Sequence, residues 1–189
     1  GLRDLGREFM KRKFTRPDPL PYNPMLANMP VIGINNDYNM MKEIHLFFSH
    51  YHWDHIQGIP FFGPMFLPKD EGPIMHFYGK EDITETITDV LTKQQQFPTF
   101  PVQYDELDVE KYTHHLKRMF PKPIKIGETT VTYVEIDHPD KCFAYRFNVG
   151  NASFVYSSDN ELRRYPDSGL VKLAKGADGK KEQPQYFIE

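Results

Sequence analysis

The sequence predicts a mixed α/β fold, and three observations carry that prediction. Short apolar runs of strand length occur at residues 44–48, 76–79, 129–136, 143–149 and 153–156. Two stretches, 2–13 and 81–96, carry apolar residues at helical spacing. A dense run of metal-type side chains, His50-Tyr51-His52-Trp53-Asp54-His55, follows directly on one of the strand-like segments. Mixed sheets place their chemistry at strand C-terminal ends, where a rigid scaffold holds a short loop.

The elements follow in order. Leu2, Leu5, Phe9 and Met10 share one helical face of residues 2–13. Residues 16–30 hold Pro17, Pro19, Pro21, Pro24 and Pro30, and proline fixes φ and removes a donor. With the Asn-rich stretch 35–39, residues 14–43 read as a loop insertion, either a surface excursion or a lid. Ile44-His45-Leu46-Phe47-Phe48 reads as a buried strand, with His45 as a packing residue or a neighbour of the metal-type run. Residues 56–62 begin a helix that Pro60 and Pro64 cut short. His76-Phe77-Tyr78-Gly79 is a further strand, and Ile83, Ile87, Val90 and Leu91 give 81–96 a helical face that Pro98 and Pro101 terminate. His114 and His115 lie in a charged segment and are expected to be solvated. Residues 129–136 alternate, and 143–149 and 153–156 form a hairpin through Gly150-Asn151. The Gly/Lys-rich tail 172–181 reads as loop.

Composition narrows the function. The length, 189 residues, fits a single domain with a real core. A formal net charge of −3 leaves no footprint for a long polyanion, so no long nucleic acid is expected as a partner. The single cysteine, Cys142, excludes an internal disulfide and a Cys-rich structural zinc site. No apolar run approaches the roughly 18 residues that cross a bilayer. The charged start, Gly1-Leu2-Arg3-Asp4-Leu5-Gly6, does not read as a signal peptide, so no membrane partner and a cytoplasmic location are expected. A homo-oligomer is compatible with the sequence.

Three imidazoles and a carboxylate within six positions are a strong sign of metal binding in a chain with 8 histidines. His50 and His52 point the same way if the segment is extended. Asp54 and His55 then require a turn to face a second point, so that one short segment can serve two ions. His138 and Asp159 each close a strand and are candidate ligands by position. Trp53 is expected to pack beneath the site. Phe97 and Phe100, in a Pro- and Gln-rich stretch, are candidate substrate-pocket residues.

The order of these motifs resembles the metallo-β-lactamase superfamily. His50-x-His52-x-Asp54-His55 follows an apolar strand. His138-Pro139 comes next with Ala144-Tyr145-Arg146-Phe147, and then Val155-Tyr156-Ser157-Ser158-Asp159. The match is nearest to the phosphodiesterase-like branch that includes tRNase Z and cyclic phosphate phosphodiesterases. The opening residues Gly1 to Gly6 resemble a segment that follows the family's second strand. The resemblance implies an αββα sandwich, and it implies that His50, His52 and His138 bind one divalent ion, Asp54 and His55 a second, and Asp159 both. Asp54 and His55 are then also the candidate catalytic residues, and a hydroxide between two ions is the nucleophile that attacks a small phosphodiester substrate. Zinc is the expected metal, with manganese or iron compatible with the same donors.

The pattern also has departures. The family places one more histidine on the second ion, downstream of the bridging aspartate, and no histidine follows His138. The family's first two strands have no counterpart before Gly1. The expectation is a fragment of a longer domain, incomplete at both ends. Rival expectations are a thioester or lactone hydrolase of the same fold and a metal-binding protein without catalysis.

Overall fold

The computed structural model describes residues 2–14, 42–81, 85–119, 121–161 and 186–187. Nearly all of the expected 14–43 loop, the 172–181 tail and residues 82–84 of the expected second helix lie outside the described residues.

The first helix spans Leu2–Phe14. Strand β1 (Glu43–Phe47) leads to a one-turn helix, Trp53–Ile56, and two 3-10 turns, Ile59–Phe61 and Gly63–Phe66. Strand β2 (Ile74–Lys80), the helix Ile87–Gln94 and the turn Tyr104–Glu106 come next. The remaining strands are β3 (Lys111–Leu116), β4 (Ile124–Ile126), β5 (Thr129–Ile136), β6 (Cys142–Val149), β7 (Ala152–Tyr156) and β8 (Tyr186–Phe187). They form a three-stranded sheet, β1-β2-β3, and a five-stranded sheet, β4-β5-β6-β7-β8. The α/β class is as the sequence predicts. The chain divides into two compact units, one of Gly1–Phe47, Ile56–Tyr78 and Ile87–His114, the other of Phe48–His55, Gly79–Thr86 and His115–Glu189.

In the first unit β1 and β2 run parallel, with His45 opposite His76 and Phe47 opposite Tyr78. The period of two sends Ile44, Met75 and Phe77 into the core and gathers His45, His76 and Tyr78 on the other face. The helix Ile87–Gln94 buries Ile87, Val90 and Leu91, the spacing the sequence shows. The first helix meets the 3-10 turns at Gly6. A Cβ there would stand 2.7 Å from Phe62 Cδ2 and 2.9 Å from the Gly63 nitrogen, so only glycine permits the approach.

Two expectations need correction in this unit. The helix expected to begin at 56 instead starts at Trp53, within the His/Asp run, and ends after one turn. The chain then continues as two 3-10 turns, each with a proline at its first positions, where a missing N–H costs little. His114 is not in a solvated segment. It sits half-buried in β3, its ring stacked on Tyr78 at 4.3 Å, while His115 is exposed as expected. The strand escapes notice because Tyr112 and His114 are polar residues on what proves to be a ring-lined face.

In the second unit β6 is paired on both sides, with β5 and β7, both antiparallel. Its side chains are buried from Cys142 to Phe147, beside Val131, Tyr133 and Val155. The hairpin closes at Val149 opposite Ala152, and Gly150 takes φ +55 in the turn, which glycine adopts at no steric cost. Strands β4 and β8 carry too few residues to announce themselves by periodicity. Among the described residues no helix is long and apolar enough to cross a membrane.

Phe143 is 2% exposed in this core. The Phe143→Ala chain is expected to lose about 3–5 kcal/mol of stability, combining lost transfer energy with a residual cavity. Urea unfolding of the two chains checks it, and a loss below about 1 kcal/mol would contradict the burial.

Candidate metal centre

All six candidate ligand residues lie in the second unit. Strand β6 holds the segment that enters the His/Asp run. The buried Tyr145 hydroxyl donates to the Phe48 carbonyl at 2.5 Å, and the Phe143 N–H donates to the Ser49 carbonyl at 2.8 Å. His50 follows and is fully buried. Its Nδ1 lies 3.2 Å from Ser49 Oγ and 3.5 Å from Cys142 Sγ. With that nitrogen engaged, Nε2 points to His52, whose Nδ1 is 3.0 Å away. The extended stretch thus sets His50 and His52 toward one point, as their spacing predicts.

The chain then turns. The His55 N–H donates to the His52 carbonyl at 3.0 Å, and the helical turn that begins at Trp53 carries Asp54 and His55 round to a second direction. His55 Nε2 is 3.4 Å from Asp54 Oδ2. The Asp54 side chain is 71% exposed. Trp53 does not pack beneath the site and is 61% exposed.

His138 and Asp159 arrive from the ends of β5 and β7. The turn His138–Lys141 is closed by the Lys141 N–H donating to the His138 carbonyl at 2.9 Å, with Lys141 at φ +51. Lys80 pins the same turn, pairing with Asp140 Oδ1 at 2.9 Å and donating to the Asp140 carbonyl at 2.6 Å. The Tyr51 hydroxyl in turn donates to the Lys80 carbonyl at 3.1 Å. The Glu161 N–H donates to the Asp137 carbonyl, which ties the segment after Asp159 to the segment before His138.

His138 Nε2 therefore stands 3.3 Å from His52 Nδ1. One donor atom from each of His50, His52, His138 and Asp159 falls within 4.8 Å of the others. Asp159 splits its two oxygens: Oδ2 lies 3.9 Å from His50 Nε2 and Oδ1 lies 3.5 Å from His55 Nε2. Close-set imidazole nitrogens with a carboxylate suit a zinc-type ion in donor chemistry and in geometry, so the residues present fit such an ion.

The electrostatics agree. Burial, and then the neighbouring rings of His55, His52 and His138, lower the His50 pKa to about 4, against a smaller opposing effect of Asp159. His50 is thus neutral at ordinary pH, the form that binds a metal. Burial pushes the Cys142 thiol up, only partly offset by hydrogen bonds from Ser158 and Ser49. Cys142 accordingly stands behind His50 as a neutral thiol. Phe97 and Phe100 belong to the first unit, where Phe97 is 82% exposed and Phe100 packs edge-on against Phe61.

Sequence reasoning misses Ser49, Cys142, Ser158, Lys80 and Tyr145 as supports of the cluster. Only Ser49 carries a signal, adjacency to His50. The others depend on contacts between segments far apart in the chain: the β5–β6 register sets Cys142 opposite Ile136, Lys80 ends β2 and Ser158 follows β7.

No protein-family model matches the chain. It is 31% identical over 130 residues to the probable metallo-hydrolase YhfI of Bacillus subtilis (strain 168), covering 69% of this chain and 46% of that protein. The chain thus spans about half the length of the curated relative it matches. Among solved structures, the crystal structure of the metallo-beta-lactamase fold protein YhfI from Bacillus subtilis is 23% identical, with a TM-score of 0.43 over 65% of this chain and 42% of that one. Human tRNase Z, short form, is 12% identical, with a TM-score of 0.41 over 59% of this chain and 46% of that one. Superpositions this partial add no argument to the sequence match.

The lowered pKa of His50 has a measurable sign. In protein stripped of metal, the unfolded chain takes up a proton below about pH 6.5 that the folded chain refuses until about pH 4. Stability is expected to fall as pH drops through that window. NMR titration of the His50 ring in chelator-treated protein checks it, and a midpoint at 6.5 would contradict the burial.

Proposed function

We propose that the chain is a metal-dependent hydrolase of the metallo-β-lactamase superfamily, with a two-ion centre that cleaves phosphodiesters of the small or cyclic nucleotide type, a reading supported by its sequence likeness to a probable metallo-hydrolase. The observation that carries this reading is the split carboxylate of Asp159, which offers Oδ2 toward His50 and Oδ1 toward His55. A carboxylate so placed joins two donor sets. His50, His52 and His138 form the first. Asp54 and His55 form the second.

Bound divalent ions, zinc foremost, would supply Lewis acidity toward a phosphoryl oxygen and a lowered pKa for a water nucleophile. The chain supplies the rest. His50 is held neutral by burial and fixed in direction by Ser49 and Cys142, so its donor geometry is set before any ligand arrives. The Lys80–Asp140 pair keeps the His138 turn in place, and His138 contributes its Nε2 from that fixed position. Asp54, exposed on its helical turn, stands on the side open to solvent and substrate. A pair of ions suits phosphodiesters because in-line displacement develops charge on both attacking and leaving oxygens. The net charge of −3 favours a small substrate over a long nucleic acid, whose phosphates recruit Lys and Arg.

The test is turnover of bis-p-nitrophenyl phosphate by zinc-loaded protein. Activity is expected to vanish on chelation and return with metal. His52→Ala is expected to lower kcat/KM by at least about 100-fold, the upper end of what losing even an outer partner costs a metal site. Full activity in that variant, or turnover of a thioester and lactone panel with none of the phosphodiester, would overturn the assignment.

A further inference from the structure

A second cluster of metal-type side chains lies in the first unit, apart from the residues of the proposed hydrolase centre. Glu43 and His45 stand on β1 and His76 on β2, with one donor atom of each within 4.8 Å of the others. The parallel register puts His45 directly opposite His76. Their rings stack at 4.5 Å, only 7° from parallel. Stacked in this way, both Nε2 atoms face the same carboxylate: Glu43 Oε2 lies 3.2 Å from His45 Nε2 and 3.9 Å from His76 Nε2.

The far nitrogens are both engaged. His45 Nδ1 is 3.1 Å from the Tyr78 hydroxyl, and His76 Nδ1 is 2.9 Å from His114 Nε2. Metal-binding histidines ordinarily use their second nitrogen in this way, which fixes the tautomer and the ring direction. Burial lowers the pKa of both His45 and His76, so both rings are neutral and carry a lone pair.

A hydrogen bond between Glu43 and His45 accounts for part of this arrangement. It does not account for His76 Nε2, which is buried and has no hydrogen-bond partner among the described residues. An orphaned buried nitrogen carries a desolvation cost, and a bound ion would remove it. Glu43 is half-exposed, so solvent has access to the cluster.

We propose that Glu43, His45 and His76 form a separate divalent-cation site of zinc type, with two imidazole nitrogens, one carboxylate oxygen and an open position for water. The site is independent of the proposed hydrolase reading, since it shares no residue with the His50 cluster.

Zinc titration of the full chain against a chromophoric chelator, with bound metal counted by elemental analysis, tests the proposal. His76→Ala is expected to lose one equivalent of zinc, both in the otherwise unchanged chain and in the His52→Ala background, where the other cluster is disabled. The two sites are thereby read separately. A folded His76→Ala chain that binds as much zinc as the unmodified one overturns the proposal. Should that variant fail to fold, Glu43→Gln is the second measurement, because its side chain is half-exposed and lies at the strand's first position. It is expected to weaken zinc binding at this site by about tenfold or more, and unchanged affinity overturns the proposal.

Discussion

Two backbone carbonyls, those of Phe48 and Ser49, govern the second unit's chemistry. The Tyr145 hydroxyl and the Phe143 N–H hold them against β6. Everything downstream depends on that grip. It presses His50 into full burial, and burial keeps the ring neutral. It also brings Cys142 and Ser49 behind the ring, leaving Nε2 as the face turned to His52. A loop tethered only at its ends would spend its conformational entropy on disordered rotamers, and a metal would have to organise it on binding. Here the central strand of the sheet has already done so.

The remaining partners enter by the same device on a smaller scale. His138 and Asp159 each follow a strand end; the Lys141 N–H closes the His138 turn, and the Glu161 N–H ties the segment after Asp159 to the Asp137 carbonyl. Lys80 adds an ion pair and a carbonyl contact at Asp140. Donors that are far apart in the chain therefore converge through sheet register, and side-chain reach adds the last few ångströms.

Much of this was legible in the sequence. Spacing alone set His50 and His52 on one side and sent Asp54 and His55 to another, because a two-residue period and a following turn leave few alternatives. The β5–β6–β7 meander was readable from alternation and the Gly150-Asn151 turn. What was hidden is instructive. Strand β3 reads as a solvated segment because its ring-lined face carries the exposed Tyr112 and half-buried His114, which hydropathy reads as polar. His76 gave no hint of its stack with His45, since parallel register between separated segments leaves no local trace. Trp53 was expected beneath the site because indole is large and apolar, yet the helical turn that aims His55 inward points Trp53 out. Gly6 was invisible as a packing residue because only the approach of Phe62 and Gly63 explains it.

Cys142 is the only cysteine in the chain, fully buried and with its thiol pKa raised. Thiol reagents attack the exposed thiolate, so the native molecule offers them almost nothing. Reaction must wait for β6 to part from the segment it holds. The labelling rate therefore clocks that opening, and the chain carries a single-site stopwatch for the event that would dismantle its His/Asp cluster.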